Sequence, residues 1–284
     1  MMPVFARASD LQAFLATFRL RAQRIALVPT MGNLHAGHYS LIRIAREHAD
    51  VVVASVFVNP TQFGPNEDFA RYPRTPEADA AGLSAAGCDA LFMPAVEEMY
   101  PFGPENTVRV NVPGFDMLEG AVRPGHFDGV ATVVARLFNI VQPMVAVFGR
   151  KDYQQLLVIR RMARDLGYPI DIVDAPTLRE ASGLAMSSRN QYLDDAGRER
   201  AAVIYATLQR MREAVRAGVQ PRREIEAEAE AALCAAGFAP DYAVIRRADD
   251  LAEPAPGQSE ALIGLIAARL GSTRLIDNLL LTEQ

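Results

Sequence analysis

The sequence predicts an α/β protein: a parallel sheet flanked by helices over residues 1–176, followed by a smaller α+β domain over 177–284. Three observations carry this. Short, mostly β-branched apolar runs at 25–28 and 51–58 alternate with segments of helical period, the pattern of strands covered on both faces. The strand–helix–strand spacing is that of a βαβ unit, which crosses over right-handed. After Asp194 the texture changes: Ala, Glu and Arg dominate two long segments, and three strand-like runs follow.

In order, Ser9 and Asp10 are candidates to cap a first helix that buries Leu11, Phe14, Leu15 and Phe18. A short strand at 25–28 leads through a glycine-bearing turn into a helix with Leu41, Ile42 and Ala45 inward. The strand at 51–58 ends in Asn59-Pro60-Thr61-Gln62. Thr75-Pro76-Glu77 opens a helix running to Gly87; Asp79 on it reads as a solvated carboxylate, with a magnesium ligand as the alternative. A strand at 90–93 precedes a Pro- and Gly-rich stretch, 94–125, whose length suggests a lid or binding loop and within which 108–112 reads as a short strand. A core helix over 129–141 and a strand at 144–148 bring the chain to Gly149-Arg150-Lys151-Asp152 and a further helix. A strand at 170–173 closes the sheet. The smaller domain reads as helices at 196–217 and 222–236 and strands at 242–246, 261–270 and 274–281, the last two joined hairpin-fashion through Gly271-Ser272-Thr273.

Composition narrows the class. With 50% hydrophobic and 22% charged residues, 284 residues suffice for two domains and a sizeable core. A net charge of −5 argues against a nucleic-acid-binding surface. No apolar run reaches membrane-spanning length, and residues 1–7 lack a signal-peptide pattern. Cys88 and Cys234 have no metal-binding spacing and fit a reducing cytoplasm.

The chemistry concentrates at residues 25–49. His35 and His38, two of only four histidines, share the face of a helix start, with Gly37 between them leaving the backbone open to a flat ring or a phosphate. A helix N-terminus favours an anion. A zinc-protease reading fails because Leu34, Ala36 and Gly37 provide no general base. Asn59 and Gln62 are neutral amides at the carboxyl edge of a strand, where ligands sit in open α/β sheets. Lys151 follows a second glycine turn but lacks Walker A spacing; by local sequence a surface lysine capped by Asp152 is the favoured reading, with a phosphate-binding point charge as the alternative. Ser187, Ser188 and Arg189 group donors able to wrap a phosphate.

Six motifs occur in order: P-T-M-G-N-L-H-A-G-H, V-F-V-N-P-T-Q-F, Y-P-R-T-P, R-P-G-H-F-D-G-V, F-G-R-K-D-Y-Q-Q-L and G-L-A-M-S-S-R-N-Q-Y-L. The first resembles the H-x-G-H signature of the nucleotidyltransferase superfamily. Together they resemble the pantothenate synthetase (pantoate–β-alanine ligase) family. That resemblance implies a Rossmann-like N-terminal domain and a dimeric enzyme that uses magnesium and ATP to join pantoate to β-alanine, releasing AMP and diphosphate through a pantoyl-adenylate. It implies ATP contacts at Met31, Gly32, Asn33, Leu34, His35, Ala36, Gly37 and His38, with His38 as proton donor. Further ATP contacts are implied at Gly149, Arg150, Lys151, Asp152, Met186, Ser187, Ser188 and Arg189, with Leu178 lining the adenine pocket. Gln62 and Gln155 are implied to bind pantoate. Arg150 departs from the Glu or Lys expected there. The basic pair Arg123 and His126 is a candidate anchor for the β-alanine carboxylate or a phosphate. Two other readings compete: a transferase that leaves a nucleotide in its product, and a non-catalytic nucleotide-binding regulator.

Overall fold

A computed structural model describes residues 2–64, 67, 69–255 and 261–282. Its chain divides into two compact units. The larger comprises Met1–Arg150 and Gln154–Pro176; the smaller comprises Lys151–Tyr153 and Thr177–Gln284.

The larger unit is built on six parallel strands. In chain order its elements are β1 (Val4–Phe5), α1 (Ala8–Arg19), β2 (Ile25–Thr30), α2 (Ala36–His48), β3 (Val51–Val56), α3 (Pro76–Ala85), β4 (Ala90–Phe92), α4 (Val96–Met99), α5 (Glu119–Val122), α6 (His126–Val141), β5 (Val145–Gly149), α7 (Tyr153–Asp165, whose first residue groups with the smaller unit) and β6 (Asp171–Ala175). The sheet order is β1-β4-β3-β2-β5-β6. The chain winds outward from β2 through β3 to β4, then returns to the other side of β2 as β5. Winding therefore reverses between β2 and β5, whose carboxyl ends run into 31–35 and into Gly149-Arg150. In an open parallel sheet this reversal point leaves a crevice for ligand. The central strands are buried on both faces, with Ala26, Leu27 and Val28 of β2 and Val52, Val53 and Ala54 of β3 fully covered. Their uninterrupted apolar sequence follows from that position.

Several expectations change in three dimensions. Ser9 and Asp10 do not cap α1; the cap position is Arg7, without a side-chain bond, and Glu98 reaches across to accept the Ala8 N–H at 2.8 Å. Residues 108–112 form no strand. The stretch 94–125 is fastened rather than loose. Thr132 Oγ1 accepts the Val110 N–H at 2.9 Å. The buried Gln154 amide donates to the carbonyls of Phe115 and Met117 and accepts the Glu119 N–H.

The smaller unit packs α8 (Asp195–Ala201), α9 (Val203–Ala217) and α10 (Arg222–Ala235) on an antiparallel sheet of β7 (Ala239–Arg247), β8 (Leu262–Leu270) and β9 (Thr273–Leu280). The helix expected over 196–217 is two helices meeting at Ala202. The β8–β9 turn is tighter than expected, because Thr273 already pairs with Leu270 and Gly271, at φ +58°, opens a two-residue connection.

Candidate active site

The turn after β2 leaves the helical and extended regions: Gly32 has φ +87° and Asn33 φ +51°. What holds it is Asp79, which is 1% exposed. Its Oδ2 accepts the Asn33 N–H at 3.0 Å, and its Oδ1 accepts the Leu34 N–H at 2.8 Å and the Thr75 hydroxyl at 3.1 Å. A Cβ on Gly32 would lie 3.1 Å from both Asp79 Oδ2 and Val56 Cγ1, so any other residue would be strained at this positive φ and would crowd both side chains. Asp79 is therefore not a solvated carboxylate; both of its oxygens hold the turn. The spacing from Asn33 to Asp79 conceals this, because only the packing of α3 beside α2 brings them together.

The two imidazoles cap α2 reciprocally. His35 is the cap residue and its Nδ1 accepts the Gly37 N–H at 3.1 Å; His38 Nδ1 reaches back to accept the His35 N–H at 3.3 Å. This is a capping box made of histidines. The rings lie 4.1 Å apart between centroids. The geometry assigns the tautomer: with both Nδ1 atoms accepting from backbone, each neutral ring carries its proton on Nε2, on the side away from the backbone. Two N–H donors thus stand together at the positive end of a 13-residue helix. Ala36 is exposed at the same helix end.

After β3, Asn59 takes a different place from the one expected. Asn59 is 1% exposed. Its Nδ2 donates to Gln62 Oε1 at 3.0 Å and to the Gly129 carbonyl at 3.1 Å; its Oδ1 accepts from Thr61 N–H and from Tyr100 Oη at 2.7 Å. With both ends engaged, Asn59 stands behind Gln62 and orients it rather than meeting a ligand. Gln62 Nε2 lies 3.1 Å from Met31 Sδ, joining the β3 turn to the β2 turn. Gly129 makes this approach possible: a Cβ there would fall 2.3 Å from the Thr61 carbonyl oxygen. Gly129→Ala is expected to push α6 off the 60–62 turn and to cost about 2 kcal/mol or more, read from denaturant unfolding. Wild-type stability in that variant would show the contact to be unimportant.

Arg123 and His126 also differ from expectation. Arg123 makes a two-pronged ion pair with Glu67, Nε–Oε1 2.6 Å and Nη2–Oε2 2.5 Å. Burial works to raise the Glu67 carboxyl, but the hydrogen bond and charge of Arg123 hold it below its usual range. His126 is buried, its Nδ1 2.9 Å from the Gln62 carbonyl and its Nε2 3.0 Å from Arg123 Nη1. Nδ1 therefore carries the proton and Nε2 accepts. Burial, helped by the Arg123 charge, pushes this imidazole down to about 4. The pair braces the Gln62 backbone instead of offering a cation to a carboxylate. A depressed histidine carries a sign: neutral in both states above pH 6.5, it is protonated preferentially in the unfolded chain as pH falls from 6.5 toward 4. Stability should drop by up to about 3 kcal/mol across that window. His126→Gln should flatten the slope between pH 6.5 and 4; an unchanged slope would sink the assignment.

Gly149 ends β5 and Arg150 opens the short 3-10 turn that follows. Arg150 shares Asp174 with Arg160, at 2.5 and 2.6 Å. Partial burial tends to raise the Asp174 carboxyl, and the two arginines together hold it low. That pair accounts for the charge at 150. Gln155, one residue after the buried Gln154, is half-buried on α7.

In the smaller unit, Lys151 has 17% of its side chain exposed and lies 3.6 Å from Asp152 Oδ1. Ser187 caps a short 3-10 turn, Ser188–Tyr192, by accepting the Arg189 N–H, which leaves its own O–H to donate. Asn190 is buried and donates to Glu180 and to the Ala185 carbonyl, fixing the loop from inside. Met186 N–H pairs with the Leu178 carbonyl, and the Leu178 side chain is 38% exposed, an apolar surface available to a flat ring.

Among the described residues no three His, Cys, Asp or Glu side chains converge on a common point. Such a donor set suits magnesium only where a nucleotide's own phosphates supply most of its ligands.

A doubly wound parallel sheet with a capped, donor-bearing helix end at its reversal point defines the class, an α/β protein with the helix-end geometry that suits an anion at the crest of its sheet. The family model described as pantoate-beta-alanine ligase matches residues 3–280. Proteins named pantothenate synthetase from Stenotrophomonas maltophilia (strain K279a) and Xanthomonas euvesicatoria pv. vesicatoria (strain 85-10) are each 60% identical; the first alignment covers 98% of this chain and 99% of that protein, the second 95% and 96%. The crystal structure of pantothenate synthetase from Thermus thermophilus superposes with a TM-score of 0.92 at 49% identity, covering 99% of this chain and all of that one. Pantoate-beta-alanine ligase from Francisella tularensis, complexed with β,γ ATP and β-alanine, superposes at 0.80 with 33% identity, covering 99% and 98%. The chain belongs to the pantoate–β-alanine ligase family, and it is a ligase of pantothenate biosynthesis.

Proposed function

We propose that this enzyme condenses (R)-pantoate with β-alanine at the expense of ATP, through an enzyme-bound pantoyl-adenylate, giving pantothenate, AMP and diphosphate. The observation that carries the reading is the reciprocal histidine cap: two Nε2–H donors held by backbone at a helix N-terminus beside the sheet's reversal point. The Francisella relative, crystallised with a nucleotide and β-alanine, supports the substrate classes.

In the first step a pantoate carboxylate oxygen bonds to the α-phosphorus of ATP while the bond to the β,γ-diphosphate breaks. Charge builds on the phosphoryl oxygens and the leaving group. Donors fixed in advance lower that barrier without reorganising. His35 and His38 are such donors, with Lys151, Ser187, Ser188 and Arg189 as further ones. The main chain of Met31, Gly32, Asn33 and Leu34 lines the nucleotide, and Leu178 meets adenine. Gln62 and Gln155 bind pantoate. Magnesium travels with ATP and neutralises its triphosphate. In the second step the neutral β-alanine amine attacks the acyl carbon, AMP leaves with the oxygen, and the amine gives up a proton. The acyl phosphate between the steps must be kept from water, a role we assign to the smaller unit. We also assign a homodimer, and a cytoplasmic setting supported by two unpaired thiols, Cys88 and Cys234. No described helix is long and apolar enough to cross a membrane.

The test is exchange of labelled diphosphate into ATP without β-alanine. Exchange that requires pantoate is expected. Pantothenate formation with no exchange would overturn the adenylate; neither exchange nor pantothenate would overturn the activity. Light scattering tests the dimer.

A further inference from the structure

The smaller unit contains a buried polar network outside the six motifs' most distinctive residues. Asp277 and Asn278, adjacent on β9, are 4% and 6% exposed. Arg179 forks onto Asp277, Nη1–Oδ2 2.5 Å and Nη2–Oδ1 3.0 Å, and lies 3.7 Å above the Tyr205 ring. The same guanidinium donates to the Gly183 carbonyl at 3.1 Å and to the Asn278 carbonyl at 3.3 Å. Asp277 Oδ1 accepts the Asn278 N–H at 2.8 Å, and Asn278 Nδ2 donates to the Lys151 carbonyl at 2.8 Å. Gly183, at φ +91°, begins the loop that ends in Ser187-Ser188-Arg189, and Arg179 also pairs with Ala185 in an isolated bridge.

Two segments far apart in sequence thus hang on one buried charge pair. One is the short excursion containing Lys151; the other is the loop carrying the serine and arginine donors. A buried Arg–Asp pair is costly to desolvate and is weak evidence for stability alone. Its forked geometry makes it useful for fixing direction. We propose that Arg179, Asp277 and Asn278 are positioning residues that set the Lys151 main chain in register with the Ser187–Arg189 turn, so that both present their donors to one phosphate chain. Asn278 is the end that acts on Lys151. This rests on the reading of Lys151 and the 187–189 turn as nucleotide donors.

The experiment is a cycle of ATP affinities measured by calorimetry on the full chain: wild type, Asn278→Ala, Lys151→Ala and the double variant. Asn278→Ala is expected to weaken ATP about fivefold to tenfold, the effect of one lost hydrogen bond with some misplacement, and to leave the KM for pantoate unchanged. In the Lys151→Ala background the same change should cost less than about twofold, because the residue it positions is gone. An equal cost in both backgrounds would make Asn278 merely structural and overturn the proposal, as would wild-type affinity in Asn278→Ala. If Lys151→Ala binds ATP as the wild type does, the assignment of Lys151 fails first and the proposal with it. Should Asn278→Ala fail to fold in a thermal melt, Asn278→Ser, which keeps a small polar side chain, carries the same cycle.

Discussion

Replacing His38 by alanine is expected to lower pantoate-dependent ATP–diphosphate exchange by about 10²–10³-fold, the cost of deleting one preorganised donor at developing charge. Two losses combine. The Nε2–H donor disappears, and so does the Nδ1 that accepts the His35 N–H at 3.3 Å. A second variant separates them. Glutamine at this position can restore the backbone cap, as in an ordinary capping box, but does not place a donor where Nε2 stands. His38→Gln should therefore melt close to wild type yet remain at least about tenfold down in exchange. Exchange within about threefold of wild type in His38→Ala would remove His38 from the chemistry and leave it a helix cap.

Removing the carboxylate of Asp79 is expected to have the largest effect on nucleotide binding outside the histidines. Asp79→Ala strips the Asn33 and Leu34 N–H groups of their acceptor in a turn whose two central residues sit at positive φ. Hydrogen bonds to a buried charge contribute about 1.5–3 kcal/mol each, so unfolding free energy should fall by about 3 kcal/mol and ATP affinity by about tenfold or more. Asp79→Asn keeps one acceptor oxygen and turns an amide N–H toward a backbone N–H; an intermediate loss is expected. Magnesium supplies the decisive control. If Asp79 holds the turn, raising Mg²⁺ will not restore ATP affinity in Asp79→Ala. Restoration by excess Mg²⁺ would show that the carboxylate serves the metal instead.

Asp79 also shows where reading a sequence stops. Its helix is legible from Thr75-Pro76-Glu77, but nothing in the local pattern says that its carboxylate is buried against a turn 45 residues upstream. The same holds for Asn59 and Gln62. Both read as amides at a strand's carboxyl edge; only the packing of Tyr100 and Gly129 shows that Asn59 is spent inside the protein, holding Gln62 Oε1. Arg123 and His126 read as a basic cluster because charge is visible in sequence and its neutralising partner, Glu67, is not.

What the sequence by itself determined is what period and local chemistry encode. The apolar β-branched runs set the parallel strands, since only strands covered on both faces tolerate such composition. Glycine before a helix start carrying His35 and His38 singles out the candidate site, and six ordered motifs mark the family. What only the tertiary structure decided is which polar groups are consumed. Strand order places the turns after β2 and β5 at the reversal point. Backbone acceptance at both Nδ1 atoms places the histidine protons on Nε2. The Arg179–Asp277–Asn278 network joins residues nearly a hundred positions apart. A hydrogen bond depends on ångström distances between groups that folding brings together, and sequence spacing carries that information only within a turn of helix or a pair of strands.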